Sequence, residues 1–414
     1  MKRLVLCFDG TWNTEKSNTN VSRLFRKIAG SSNECSEQRQ FYDEGVGTSW
    51  GERIRGGMLG MGLDRNIRQG FAWLATQFRE AQPEHGGDAG FMAGPDIYLL
   101  GFSRGAFTAR SLGGLINYLG LPNLGLEVSQ EAGTAGEESS LVLEAWNLYA
   151  ARPTKGDRED KSKEKEVAAH DLAVKEFRSR HYFPVQIHFL GVWDTVGALG
   201  IPRFLDYKWI PRPSNKFLFH NTRLGDCVRF AYHAMAIDEQ REPYCVTLWT
   251  DLDESRTEDV EQRWFPGAHA DVGGGYEDCL LPDPPLAWIA KKAAERGLHF
   301  VNDRGEVDIA TGKVPPTIAK PPAAFDLDGQ EYLSPVHDSY SEFAYGAYKL
   351  LRSLPGAGGR AYRRMLVLED GVRQTVDATA YRKMDVDTGY RPPNLSQAGR
   401  VQVSYRIARL DSNT

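Results

Sequence analysis

The pentapeptide Gly101-Phe102-Ser103-Arg104-Gly105 constrains this chain more than any other stretch, because of what surrounds it. An apolar strand pattern, Ile97 to Leu100, runs into it behind the breaker pair Gly94-Pro95. A helical pattern, Ala106 to Leu119, runs out of it and is closed by Gly120. A strand-to-helix turn this tight lifts a serine hydroxyl above a sheet, and flanking glycines let the backbone take the angles required. A G-x-S-x-G match alone is common by chance. Strand, elbow and helix in sequence are not, and they mark Ser103 as a candidate nucleophile rather than an ordinary turn serine.

A serine hydroxyl is a weak nucleophile until a base takes its proton and a third group orients that base. The elbow geometry places those partners later in the chain, acid before histidine. Val185 to Trp193 is nearly unbroken in apolar character, as expected of a parallel strand covered on both faces, and it ends at Asp194. An acid there points into the crevice where open α/β sheets bind ligands; the plainer alternative is a cap on the following turn. The base is expected at His269, in a glycine-rich loop that follows a short strand pattern, Val260 to Phe265. Of the nine histidines, His188 lies inside the apolar strand and reads as a core residue. His181, His220 and His233 fall between the serine and the acid or in helical patterns. His337 is the competitor, with structural support at the rim as its plainer role. Asp271, two residues beyond His269, is an alternative orienting acid; Asp194 is preferred because it stands at a strand end.

Acyl transfer also needs donors aimed at a developing oxyanion. One is expected from the amide of Arg104. The other is expected from Gly10 or Thr11, in the loop after the opening strand pattern Arg3 to Phe8, with Asp9 stiffening that loop by bonds to its own backbone. The Arg104 side chain has two open readings, contact with a substrate phosphate or a salt bridge.

Five ordered segments carry a family resemblance: Phe8 to Asn13, Tyr42 to Thr48, Gly101 to Ala106, Gly191 to Gly197, and Phe265 to Tyr276. Together they resemble the α/β-hydrolase family that supplies the catalytic domain of class-one type VI secretion phospholipase effectors, with stand-alone bacterial and fungal members. The resemblance implies an α/β fold: a mostly parallel α/β-hydrolase-like sheet with helices on both faces and helical or loop insertions. It also implies a serine esterase without cofactor or metal, acting on carboxyl esters with phospholipids as the best-known substrates. Ser103, Asp194 and His269 fall on the family's triad positions. A secretion-machinery or immunity partner is implied in the same way. Effector members often carry an extra membrane-anchoring module, and at 414 residues none of large size is expected here.

The catalytic core is expected over residues 1–300, with a cap-like insertion at about 121–182. That insertion holds helical patterns at Leu141 to Ala150 and up to Arg180, around a charge-balanced run from Lys155 to Glu166. An amphipathic helix is expected over 62–82, and another from Pro284 to Arg296. Residues 301–414 read as a peripheral segment completing the fold, with a hairpin signal at Glu369-Asp370-Gly371 and no chemistry beyond His337. Aromatics and cations crowd residues 203–219, either as a core-packed loop or as a rim touching a membrane interface.

A net charge of -5 excludes the basic profile of a nucleic-acid binder. Five scattered cysteines without CxxC spacing suit a reducing compartment and offer no structural zinc site. The apolar run after Lys2-Arg3 is too short for a signal peptide, and no run approaches the roughly 18 apolar residues of a membrane span. The expected location is cytoplasmic, or exported without a signal. Cys7-Phe8-Asp9-Gly10-Thr11 also resembles the first motif of haloacid-dehalogenase-type phosphatases, but Cys7 replaces their nucleophilic aspartate. A non-catalytic, hydrolase-like scaffold for a lipid or protein is the other alternative.

Overall fold

The computed structural model describes residues 2–10, 13–30, 38–45, 59–81, 94–124, 139–197, 223–250, 259–277, 280–301, 327, 329–342, 360–363, 365 and 374–398. Seven strands form one sheet: β1 Arg3–Phe8, β2 Gln38–Asp43, β3 Asp96–Phe102, β4 Ile187–Trp193, β5 Val228–Ala236, β6 Val260–Phe265 and β7 Gln374–Val376. Their order is β2-β1-β3-β4-β5-β6-β7, and every neighbouring pair is parallel. The fold is an α/β fold of hydrolase-like architecture.

The apolar runs of the sequence are explained by burial on both faces. Leu4, Leu6 and Phe8 of β1 pack with Ile67, Phe71, Leu112 and Ile116 on one face, while Val5 and Cys7 pack with Val21, Leu24, Ile289 and Ala293 on the other. The first face is covered by α2 (Leu59–Ala81), α3 (Arg104–Leu119), α4 (Ser140–Ala150) and α6 (Glu164–Arg180); the second by α1 (Asn20–Lys27) and α8 (Asp283–Glu295). Between α4 and α6 lies the short exposed α5, Lys155–Glu159, which carries the balanced charges on a solvated surface. The short α7, His269–Gly273, follows β6. Beyond residue 300, α9 (Ser339–Glu342) is followed by β7, α10 (Ala378–Val386) and α11 (Pro393–Ala398). Ala380 and Leu395 from those last two helices close over Met235, Ile237 and Trp264.

Two expectations are corrected. His269 is the first residue of α7 rather than part of a loop, and His233 lies on β5 rather than in a helix. Thr11, the 203–219 segment, His220 and the Glu369-Asp370-Gly371 turn lie outside the described residues. No helix among the described residues is long and apolar enough to cross a membrane.

Because the strands run one way, their carboxyl ends share an edge. The sheet order reverses between β1 and β3, the position at which doubly wound sheets open a crevice. Asp9, Ser103, Asp194 and the α7 turn all follow strands that end on that edge.

Candidate active site

Ser103 stands between β3 and α3 with φ 58° and ψ -121°, a conformation that L-residues avoid and that elbow serines adopt. The strain is held from both sides. A Cβ on Gly101 would lie 2.5 Å from the Gly105 carbonyl oxygen, and one on Gly105 would run into the carbonyls of Phe8 and Asp9, so neither flanking glycine tolerates a side chain. The Ser103 amide donates to Trp193 O at 3.0 Å, which locks the elbow to β4.

The residue next in line on β4 is Asp194, also at positive φ, 39°. Its carboxylate is completely buried and turned toward α7, where Oδ2 lies 2.6 Å from His269 Nδ1. The other ring nitrogen, Nε2, lies 2.8 Å from Ser103 Oγ. With Asp194 ionised, Nδ1 carries the ring proton and donates it, leaving Nε2 to accept from the serine hydroxyl. Serine, histidine and aspartate therefore form one continuous hydrogen-bonded chain across 166 and 75 residues of sequence.

Electrostatics set the protonation states. Burial alone would raise the Asp194 pKa, but the Arg363 charge and the bonds from His269 and Arg363 outweigh it and hold the carboxyl well below its usual range. Burial lowers the His269 pKa, opposed by the bond to Asp194 and its charge, and the net shift is downward. The imidazole is thus kept neutral, as a proton acceptor must be. Its ring packs on Phe102, with centroids 4.7 Å apart, and against the edge of Tyr244 at 5.0 Å.

Asp271 and His337 pair with each other instead of joining the chain. His337 Nδ1 lies 2.6 Å from Asp271 Oδ1, and Asp271 Oδ2 accepts from the amides of Ala268 at 2.8 Å and His337 at 3.1 Å. This pair braces the first turn of α7, and the His337 ring stacks on Tyr276 at 3.9 Å. A carboxylate at the third helical position bonding back to the residue before the helix is a capping interaction, so Asp271 supports His269 through the backbone.

Asp9 is likewise fully engaged. Its oxygens accept from the Gly10 amide at 2.6 Å, Asn13 Nδ2 at 3.4 Å, Thr19 Oγ1 at 2.5 Å and Tyr42 Oη at 2.6 Å. Burial raises its pKa, with those four bonds opposing. Gly10 abuts the elbow, since a Cβ on it would lie 3.3 Å from that of Ser103. Arg104 occupies the first position of α3, one residue beyond the cap, and burial lowers its guanidinium pKa. Its side chain has no hydrogen-bond or ion-pair partner among the described residues, so the salt-bridge reading gains no support there.

Sequence reasoning missed three residues of this site. Glu239 Oε2 accepts the His269 amide at 3.2 Å, and its carboxylate is paired with Arg241 at 2.7 Å. Arg363 reaches Asp194 from the segment after residue 300. The Asp-Glu-Gln-Arg run at 238–241, at the end of an apolar strand, was a visible signal for the first pair; nothing local announced Arg363. Of the histidines set aside, His188 Nε2 donates to Arg296 O at 2.9 Å, and His233 Nε2 accepts the Thr195 amide at 3.1 Å.

This sheet and its edge are those of an α/β protein of hydrolase-like architecture. A family model described as the catalytic domain of Tle1-like phospholipase effectors of the type VI secretion system matches residues 2–292, and the chain belongs to that family. An uncharacterised Saccharomyces cerevisiae protein, YEL023C, is 28% identical over 271 residues, covering 61% of this chain and 33% of its own length. An uncharacterised Pseudomonas aeruginosa protein of known structure is 18% identical with a TM-score of 0.42, over 76% of this chain and 48% of that one. A Tle1 effector solved bound to the VgrG spike of the type VI system is 17% identical with a TM-score of 0.33, over 67% and 51% of the two chains. The chain thus spans a third of the yeast relative's length and about half of each solved structure.

Proposed function

We propose that this protein is a serine hydrolase that cleaves carboxyl esters, with phospholipid acyl esters as its substrate class. The observation that carries the reading is the unbroken relay from Ser103 Oγ through His269 to Asp194, at 2.8 and 2.6 Å, on the carboxyl edge of the sheet. Membership of a phospholipase effector family supports lipid esters as the substrate.

His269 Nε2 accepts the Ser103 proton while Oγ attacks the ester carbonyl carbon, and the carbonyl π electrons move onto oxygen. The Arg104 amide, ahead of the first intrahelical donor of α3 and so not engaged in the helix, would donate to that oxyanion. Gly10 would supply a second donor, with the substrate oxygen competing against Asp9 Oδ1 for its amide. Collapse of the intermediate expels the alcohol, which takes the proton from His269. Water, deprotonated by the same nitrogen, attacks the acyl-serine, and a second collapse returns the proton to Oγ and releases the acid. Asp194 remains ionised throughout and steadies the transient imidazolium.

The Arg104 guanidinium is offered as a contact for a substrate phosphate. A secretion-machinery partner belongs to the same reading, through membership of a type VI secretion effector family.

Hydrolysis of phospholipid vesicles and of a short-chain nitrophenyl ester by wild type and Ser103→Ala tests it. The variant is expected to lose at least about 10³-fold in kcat with an unchanged melting temperature. Equal rates in the two proteins would remove the mechanism.

A further inference from the structure

Arg363 lies outside every motif in the chain, yet its guanidinium rests on both oxygens of Asp194. Nη1 donates to Oδ1 at 2.6 Å and Nη2 to Oδ2 at 2.9 Å, the parallel fork in which arginine fixes a carboxylate plane. The same two nitrogens donate to the carbonyls of Ala236 and Tyr244, so the fork is itself anchored to β5 and the loop after it. With the Ala236 amide on Oδ1 and His269 Nδ1 on Oδ2, the carboxylate accepts four bonds, two on each oxygen. Rotation of Asp194 would break all of them.

We propose that Arg363 is a positioning residue of the relay: it holds the Asp194 carboxylate in plane for His269 and, by compensating its charge, keeps the imidazole unprotonated to lower pH than an aspartate–histidine pair alone would. Its catalytic meaning rests on the serine hydrolase reading above, but the protonation effect needs no substrate.

The effect is one of charge in a place with little water. The Asp194 side chain is 0% exposed and that of Arg363 5%. Where a buried carboxylate faces only a histidine, protonating the ring turns a lone negative charge into a neutral pair, and proton uptake is strongly favoured. Here the arginine has already made the neutral pair, so proton uptake leaves the three groups with a net positive charge. A second acid–arginine pair, Glu239 with Arg241, backs His269 and is also neutral as a unit. The other ionisable side chains that interact with this cluster include His233 from β5, Tyr244 and Cys245 from the loop after β5, and Tyr276 beyond α7, with Arg104 from α3 facing Tyr244. None of them is a carboxylate that would restore the lost negative charge. The Asp271–His337 pair braces the other side of the α7 turn.

The test is histidine titration by ¹⁵N NMR in wild type, Arg363→Gln and Arg363→Lys, alongside the pH dependence of fluorophosphonate labelling at Ser103. In wild type the His269 midpoint is expected below the ordinary value of about 6.5. In Arg363→Gln the midpoint of the Asp194–His269 pair is expected to rise by at least about one unit, whichever partner takes the proton, because losing the cation raises the proton affinity of both. Arg363→Lys should fall between the two. A folded Arg363→Gln protein with slower labelling but an unmoved midpoint has lost only scaffolding, and that result overturns the proposal. Should that variant not fold, wild type decides alone, since a His269 midpoint above about 7 is the value of an uncompensated pair and also overturns it. Failure of every protein to cleave any ester would sink the hydrolase reading, while the titration would still judge the clamp.

Discussion

Gly105 presses its α-carbon against the end of β1: a Cβ there would stand 2.1 Å from the Phe8 carbonyl oxygen and 2.5 Å from that of Asp9. The elbow helix and the loop that holds Gly10 are therefore in backbone contact, with no side chain between them. That contact brings the Arg104 amide, Gly10 and Ser103 within one small region.

Gly105→Ala is accordingly expected to cost about 2–3 kcal/mol, the scale of an overpacked core, and to lower turnover further by displacing the elbow. Denaturant melts and ester kinetics would check this. A variant with wild-type stability would mean that the helix can slide away from β1 freely.

Asp194 and Asp271 separate cleanly by mutation. Asp194→Asn is expected to reduce kcat by about 10⁴-fold, because the amide allows the wrong histidine tautomer. Asp271→Asn keeps the Ala268 amide bonded to its side-chain oxygen and should cost far less, chiefly in stability. If the two losses in kcat were reversed, the assignment of the orienting acid would be reversed with them.

His233 predicts an acid sensitivity of the fold. Burial, with the charges of Arg110 and Arg363, pushes its pKa down to about 3. An unfolded histidine binds its proton near pH 6.5, so below that pH the unfolded chain holds more protons than the folded one. The stability that comes from keeping this ring neutral is complete above that pH and is lost progressively as pH falls toward 3. His233→Gln, which retains an acceptor for the Thr195 amide, should show a shallower fall in melting temperature across that window. Identical slopes for the two proteins would remove His233 from the account.

No step in the proposed reaction calls on a metal, so ester hydrolysis should persist in excess EDTA. Loss of turnover, restored by a divalent cation, would direct attention to Asp9, Asp271 and His337 as ligands.

What could be read in the sequence was whatever leaves a local trace. β1, β3 and β4 announce themselves as unbroken apolar runs, because strands with helices on both faces need no polar side. The elbow glycines left a local trace as well, as did the placement of His269 behind the β6 pattern and the position of Asp194 at a strand end. His233 misled: Arg229 to Met235 is rich in alanine and aromatic residues and reads as a helix, until parallel partners on both sides override that preference. The α7 helix was hidden by its glycines, although the Asp271 carboxylate three positions after Ala268 is a helix-start signal. Arg363 had no trace at all, since a pairing across 169 residues imposes no spacing on the chain.

That long reach has a consequence for the order in which the protein matures. A ribosome will have delivered Ser103, Asp194 and His269, and the whole span matched by the family model, well before Arg363 leaves the exit tunnel. Until then the aspartate lacks the Arg363 counter-charge, and the emerging polypeptide carries the proposed relay with two of the four bonds on its carboxylate missing. Fluorophosphonate labelling of stalled nascent chains should therefore reach its full rate late, after residue 363 has cleared the tunnel rather than after residue 269.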